Sequence, residues 1–411
     1  MTQTQAAAAP TEAITYNPLD PAVTHNPYPH YAQLRALAPV HWLEQMQAFA
    51  VSRWDDVVDV LSDGQTFSSS QFWPALLGEY DPVPEVPPMI SLDPPGHMRI
   101  RKLANKAFVP SRVGALQGKI TSVANELIDD IFKRHGREGE FDFVWEFSGL
   151  FPVSVVAEVI GVDVERRVDF KHWVDDLLSA GNRAVYPPER LAVIEKSSKD
   201  IRAYFEEIYD KRLAVPADDL ISGFILAEVN GERLTRTEVL NMAILLLIGG
   251  VETTTNLLGN TIAHLKQYPD AEAAVRADPG KLPGLIEEML RFDGPVQMLF
   301  RHTLADTVFK GVKIPKGSLV LPLLGSANHD ERKFEDSEVL VVDRNPKEIM
   351  SFGQGPHFCL GSYLSRMETL TALQILFERF ELLTPVSGEV KWMDSYFARG
   401  PKTLPVRFKA R

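Results

Sequence analysis

The sequence predicts a mainly α-helical fold with a small β-rich lobe. Three observations lead to that class. Apolar residues recur at helical spacing, with breaks, from Gly96 to about Pro269. The stretch TVFKGVKIPKGSLVLPLL then alternates like strands and carries lysine–glycine turns. A last helical pattern runs from about Leu360 to Phe380. No linker separates two halves, so residues 1–411 read as one domain. Residues 1–15, rich in alanine and threonine, read as a flexible tail.

The elements follow in order. PHYAQLRALAPV predicts a short helix, HWLEQMQAFAVS two short strands around a polar turn, and RWDDVVDVLSD another helix. Residues 65–95, crowded with proline, serine and aromatics, read as a long loop, and loops that long usually carry function. Thr235 and Glu238 form a capping box at the start of the helix that carries AILLLIGGVETTTNLLGN. That helix continues past Gly249 and Gly250, although each glycine costs about 1 kcal/mol against alanine. Either close helix packing or contact with a flat group explains them.

Composition narrows the function. The chain is 45% hydrophobic, with a formal net charge of −12, which argues against nucleic acid and anionic membranes as partners. Its single cysteine excludes an internal disulfide and any multi-cysteine metal cluster. The first residues lack a basic region followed by an apolar run, and the longest apolar run, MAILLLIGGV, is too short to span a bilayer. A cytoplasmic monomer is expected.

That cysteine, Cys359, lies in SFGQGPHFCLG with glycines at 353, 355 and 361. A buried structural cysteine is the plain reading. Yet the glycines allow tight turns, and a helix beginning at the cysteine would favour a thiolate. Two chemistries fit: a nucleophile with His357 as base, or an axial ligand to haem iron.

The run from Phe352 through Gly353, His357 and Cys359 to Gly361 resembles the haem-binding signature of the cytochrome P-450 family. The similarity extends over almost the whole chain. It implies haem b as cofactor, with Cys359 as the iron ligand. Gly249, Gly250, Glu252 and Thr253 resemble the oxygen-activation stretch, with glutamate where aspartate is commoner and Gly249 where alanine is commoner. The resemblance makes Glu252 and Thr253 catalytic and the two glycines neighbours of the haem. His97, Arg101, Arg301 and His357 match positions that grip the haem propionates. Glu288 and Arg291, three apart on a helix, match a structural pair that locks onto Arg344 and holds the cysteine loop.

A haem-thiolate monooxygenase is therefore expected, inserting one oxygen atom of O2 into an apolar, fairly bulky substrate by hydroxylation or epoxidation. Electrons would come from a ferredoxin and a ferredoxin reductase. A peroxide-using peroxygenase or a non-catalytic sensor are the alternatives; the first would usually replace the Glu252–Thr253 pair. By position, segments 65–92, 172–190, 245–253, 294–299 and 394–398 should line the pocket. They carry Phe72, Trp73, Leu76, Leu77, Val296, Met298, Leu299, Tyr396 and Phe397. Steroid, terpenoid, fatty acid and polyketide all remain open. Arg99, Lys102, Lys106, Arg344, Lys347 and Arg366 are expected to form a basic face for an acidic electron carrier.

Overall fold

A helix of 30 residues, Arg236–Leu265, runs through the protein interior, in a computed structural model that describes residues 14–108, 114, 116–386 and 390–411. Its start is the expected capping box: Glu238 N–H donates to Thr235 Oγ1, and Thr235 N–H donates to Glu238 Oε2. By length and composition alone this central helix could cross a membrane, contrary to the expectation from its longest apolar run. Most of its apolar stretch is buried inside the fold, as befits a core helix.

Helices Leu150–Ile160, Arg167–Ser179, Pro188–Ala214 and Ser362–Arg379 pack around it. Both paired glycines line a cavity, and close helix packing applies to one of them as well. A Cβ on Gly250 would sit 2.9 Å from Val156 Cγ2, so Gly250 serves helix packing. A Cβ on Gly249 would meet nothing within 4 Å, because that position faces a cavity.

The β lobe holds a five-stranded sheet in the order Val40–Leu43, Ala48–Val51, Leu319–Pro322, Arg301–Thr303, Phe67–Ser68. Its one parallel pairing joins Ala48–Val51 to Leu319–Pro322. The predicted hairpin and both flanking helices, Tyr28–Leu37 and Trp54–Ser62, are present. Two expectations need correction. The helical pattern from Gly96 to about Pro269 hides a strand, Glu138–Asp142, paired with the C-terminal strand Pro405–Ala410. The supposed loop 65–95 contains a strand, Phe67–Ser68, and a short helix, Phe72–Leu77, in which Phe72, Trp73, Leu76 and Leu77 are buried. Residues 1–13 of the expected tail lie outside the described residues. Thr15 does not belong to a tail, because it bonds Gln33 and His30, and Tyr16 is buried.

Candidate active site

The cysteine loop is closed by its own backbone. Gly353 N–H donates to Met350 O at 2.7 Å, Phe358 N–H to Gly355 O at 3.1 Å, and Cys359 N–H to Phe352 O at 3.0 Å. Gly353 and Gly355 have φ of 69° and 71°, where a side chain is strained, and a Cβ on Gly355 would lie 2.8 Å from Leu61 O. Phe352 is covered by the Arg366 guanidinium, 4.3 Å from the ring centre. The helix after the loop begins at Ser362, three residues beyond the cysteine. Backbone N–H groups of Gly361 and Ser362 face Cys359, but burial outweighs them and raises the thiol above its ordinary range. The helix terminus alone therefore does not make a thiolate; a bound metal would.

The nucleophile reading loses its base. His357 Nε2 lies 3.2 Å from Ser69 Oγ, and its ring lies 4.0 Å from that of His97. No described hydrogen bond links it to Cys359.

Cys359 and Gly249 line the same cavity. Arg101, Arg301 and His357 line it too, and His97 stacks on His357 at its edge. This set is short of negative charge. Both ring nitrogens of buried His97 lack a partner. Arg101 pairs with no acid among the described residues, and Arg301 bonds the backbone Phe300 O. Burial lowers Arg301 to about 10, with Asp93 opposing. Burial first, then the neighbouring His97, Arg301 and Arg101, push His357 down to about 3. Four crowded donors of this kind fit a guest that brings carboxylates, as haem does with its propionates.

Across the cavity, Thr253 Oγ1 donates to Gly249 O at 2.8 Å. Glu252 is buried, and burial raises it from 4.5 to about 7, helped by nearby Asp175 and opposed by Lys171. Asn256 Nδ2 reaches its Oε1 at 3.5 Å.

The sequence reading missed Glu368. It is buried on the helix Ser362–Arg379, lines the cavity and leaves Oε2 without a partner. Burial raises its pKa well above the usual carboxylate range, opposed by a hydrogen bond from Thr254. The available signal was an acid within the buried series Leu364, Glu368, Ala372 and Leu376, spaced four apart.

The clamp residues meet away from the cavity. Glu288 and Arg291 are both fully buried and joined by two bonds, Nε to Oε2 at 2.9 Å and Nη2 to Oε1 at 2.8 Å. Arg344 Nε and Val341 N–H complete Oε1 at 3.1 and 3.0 Å. Arg291 Nη1 also holds Asn328 O, while the Asn328 side chain bonds Met350 N–H and Ser351 Oγ. The clamp thus reaches the cysteine loop through Asn328.

Among the expected lining residues, Phe72, Trp73, Leu76, Val296, Leu299 and Phe397 face the cavity. Leu77, Met298 and Tyr396 do not. Leu77 follows Leu76 on a helix and turns into the core, and Met298 is fully buried beside the lining position Leu299. Tyr396 sits near Arg183, outside the cavity lining.

The cytochrome P-450 family model matches residues 31–279 and 282–408. The chain belongs to the cytochrome P-450 family. It is 33% identical over 377 residues to the cyclomarin C epoxidase CymV of Salinispora arenicola, covering 92% of this chain and 94% of that protein. The structure of CYP109Q5 from Chondromyces apiculatus superposes with a TM-score of 0.88 at 38% identity, over 96% of this chain and 98% of the other. CYP109E1 from Bacillus megaterium, solved with testosterone, gives 0.82 at 35% identity, over 93% and 99%. This cytochrome P-450 is thus a haem-thiolate monooxygenase of the kind found in bacteria, acting on small molecules with electrons from other proteins.

Proposed function

We propose that this single-domain cytochrome P-450 binds haem b through Cys359 and oxidises a neutral, bulky, apolar molecule by hydroxylation or epoxidation. The observation that carries the reading is the pairing of Cys359 with Gly249 in one cavity edged by His97, Arg101, Arg301 and His357. The four donors would hold the propionates, and Gly249 would leave room for the ring face. Bound haem supplies the iron at which O2 is activated.

The chain's own residues would then manage substrate and protons. Phe72, Trp73, Leu76, Val296, Leu299 and Phe397 offer apolar surface that excludes water. Relatives crystallised with testosterone or named for cyclomarin C epoxidation agree with a bulky substrate. Thr253 Oγ1 would turn from Gly249 O to hold oxygen or water in the cavity. Glu252, held at about 7, can give and regain a proton at neutral pH. The overall balance takes substrate, O2, two electrons and two protons to oxidised substrate and water. The electrons would arrive from a ferredoxin and its reductase in the cytoplasm.

The test is the carbon monoxide complex of the reduced protein. The wild type should show the red-shifted band of a thiolate-ligated haem, and Cys359→Ala should lose it. The same band in the variant would overturn the assignment.

A further inference from the structure

The short wall helix Phe72–Leu77 brings Phe72, Trp73 and Leu76 to the cavity, so whatever fixes this helix also fixes the substrate's space. The chain beyond it is fastened to the body of the protein. Arg202 Nη1 holds Pro82 O at 3.1 Å, and its Nη2 holds Glu85 at 2.6 Å. Asn241 Nδ2 holds Val86 O at 2.7 Å. These ties come from helices Pro188–Ala214 and Arg236–Leu265, both part of the core.

The wall helix is held differently. All described side-chain hydrogen bonds and ion pairs between residues 72–80 and the neighbouring segment Ala180–Val185 come from Arg183. Its Nη1 reaches Ala75 O at 3.4 Å and Ala180 O at 3.1 Å, and its Nε lies 3.4 Å from Glu79 Oε2. Ala75 O belongs to the last turn of the wall helix, where carbonyls lack partners and a cation is favourable. Gly78 caps that turn at φ 55° and ψ −128°, which a side chain rarely adopts. A Cβ there would lie 2.8 Å from Arg183 Cζ, so the guanidinium occupies space that only glycine leaves. On its other side the segment touches a second wall: Asn182 Nδ2 bonds Asp394 O at 3.2 Å, close to Tyr396 and Phe397.

Two pocket-bearing segments, the wall helix and the stretch that carries Phe397, are therefore tied to residues 182 and 183, which do not line the cavity themselves. We infer that Arg183, seated on Gly78, is a positioning residue that latches the wall helix to segment 180–185 and thereby selects by size which molecules reach the cavity. The inference builds on the proposed substrate reading and adds the residue that governs admission. The Arg183–Glu79 pair is long and Glu79 is exposed, so the latch is weak enough to open reversibly. Across to the wall helix its hold lies in Ala75 O and the glycine seat, while the bond to Ala180 O stays within its own segment and orients the guanidinium.

The experiment uses the haem-loaded protein and two iron-binding probes of different size, imidazole and clotrimazole. Stopped-flow absorbance gives association and dissociation rates for each. Arg183→Ala and Gly78→Ala should each raise both clotrimazole rates about tenfold with little change in Kd, and leave imidazole rates within about twofold. Arg183→Lys, which keeps the charge but not the fork, should fall between. Hydrogen exchange, read without any probe, should quicken at residues 74–79 and 181–185 alone. Unchanged clotrimazole rates in both variants would overturn the latch, as would equal acceleration of both probes. Failure of the haem reading looks different: the wild type itself would then show no azole-induced spectral shift, while hydrogen exchange would still report on the latch.

Discussion

Glu252 carries the site's clearest pH signature. Burial raises its pKa from 4.5 to about 7, so the folded state prefers the protonated carboxyl. The sign follows by linkage. Ionising Glu252 costs the fold nothing below 4.5, costs progressively more as pH climbs toward about 7, and costs the full amount above. Glu252→Gln removes that cost. Its thermal stability relative to wild type should match at acid pH, rise through this window and level off above it; a gain that shrinks with rising pH would contradict the assignment. If the same carboxyl delivers protons, product formed per reduced nicotinamide should fall in the wild type above pH ~7, and Glu252→Gln should lower turnover by roughly 10²-fold at all pH. Residues differ in how plainly the sequence marks them. Gly353 and Gly355 stood out because positive φ demands glycine, and Cys359 because there is no other cysteine. Glu368 was hidden, since an acid within a helix looks exposed until its neighbours are known, and here its Oε2 is buried without a partner.

The helix Leu282–Phe292 carries the clamp that fastens the cysteine loop through Asn328. Removing one member strands a buried charge, which costs about 3–5 kcal/mol. Glu288→Gln should therefore unfold at lower denaturant and be purified with substoichiometric haem; full haem content and unchanged stability would make the pair dispensable. The central helix gives a paired test. Gly250→Ala pushes a methyl into Val156 and should cost about 1–3 kcal/mol. Gly249→Ala points its methyl into open cavity space, at a position where the family commonly carries alanine, so it should gain up to ~1 kcal/mol of helix stability and keep its haem. Equal behaviour of the two variants would sink the assignment of packing to Gly250 alone. Long periodic helices and the capping box were legible because their signals are local. The strand Glu138–Asp142 was not: it is five residues long and pairs with Pro405–Ala410, far along the chain. The wall helix was hidden for a related reason, since six mostly apolar residues show no period.

At the scale of the whole molecule, a net charge of −12 made the expected basic face look decisive for docking an electron donor. The structure reduces it. Arg99 pairs with Glu238, Arg344 with Glu288 and Arg366 with Glu287, and Lys106 Nζ bonds Glu228 O at 2.7 Å. Only Lys102 and Lys347 of the six remain exposed without a described partner. Beside the cysteine loop the surface is instead apolar: Met98, Phe358 and Tyr363 are 48%, 39% and 51% exposed. Steering by charge acts on the association rate and is screened beyond roughly 8 Å at physiological salt, whereas apolar contact is indifferent to salt. With only Lys102, Lys106 and Lys347 of the six not paired to a carboxylate, reduction by an acidic ferredoxin should slow only several-fold from low to high ionic strength, against the roughly 10–10³-fold span open to strongly steered pairs. Lys102→Glu should slow first-electron transfer at low salt and converge on wild type at high salt. Phe358→Ala and Tyr363→Ala should slow it at every salt concentration, with substrate binding unchanged. A steep salt dependence, with no effect of either aromatic, would mean that the paired arginines leave their carboxylates to meet the donor.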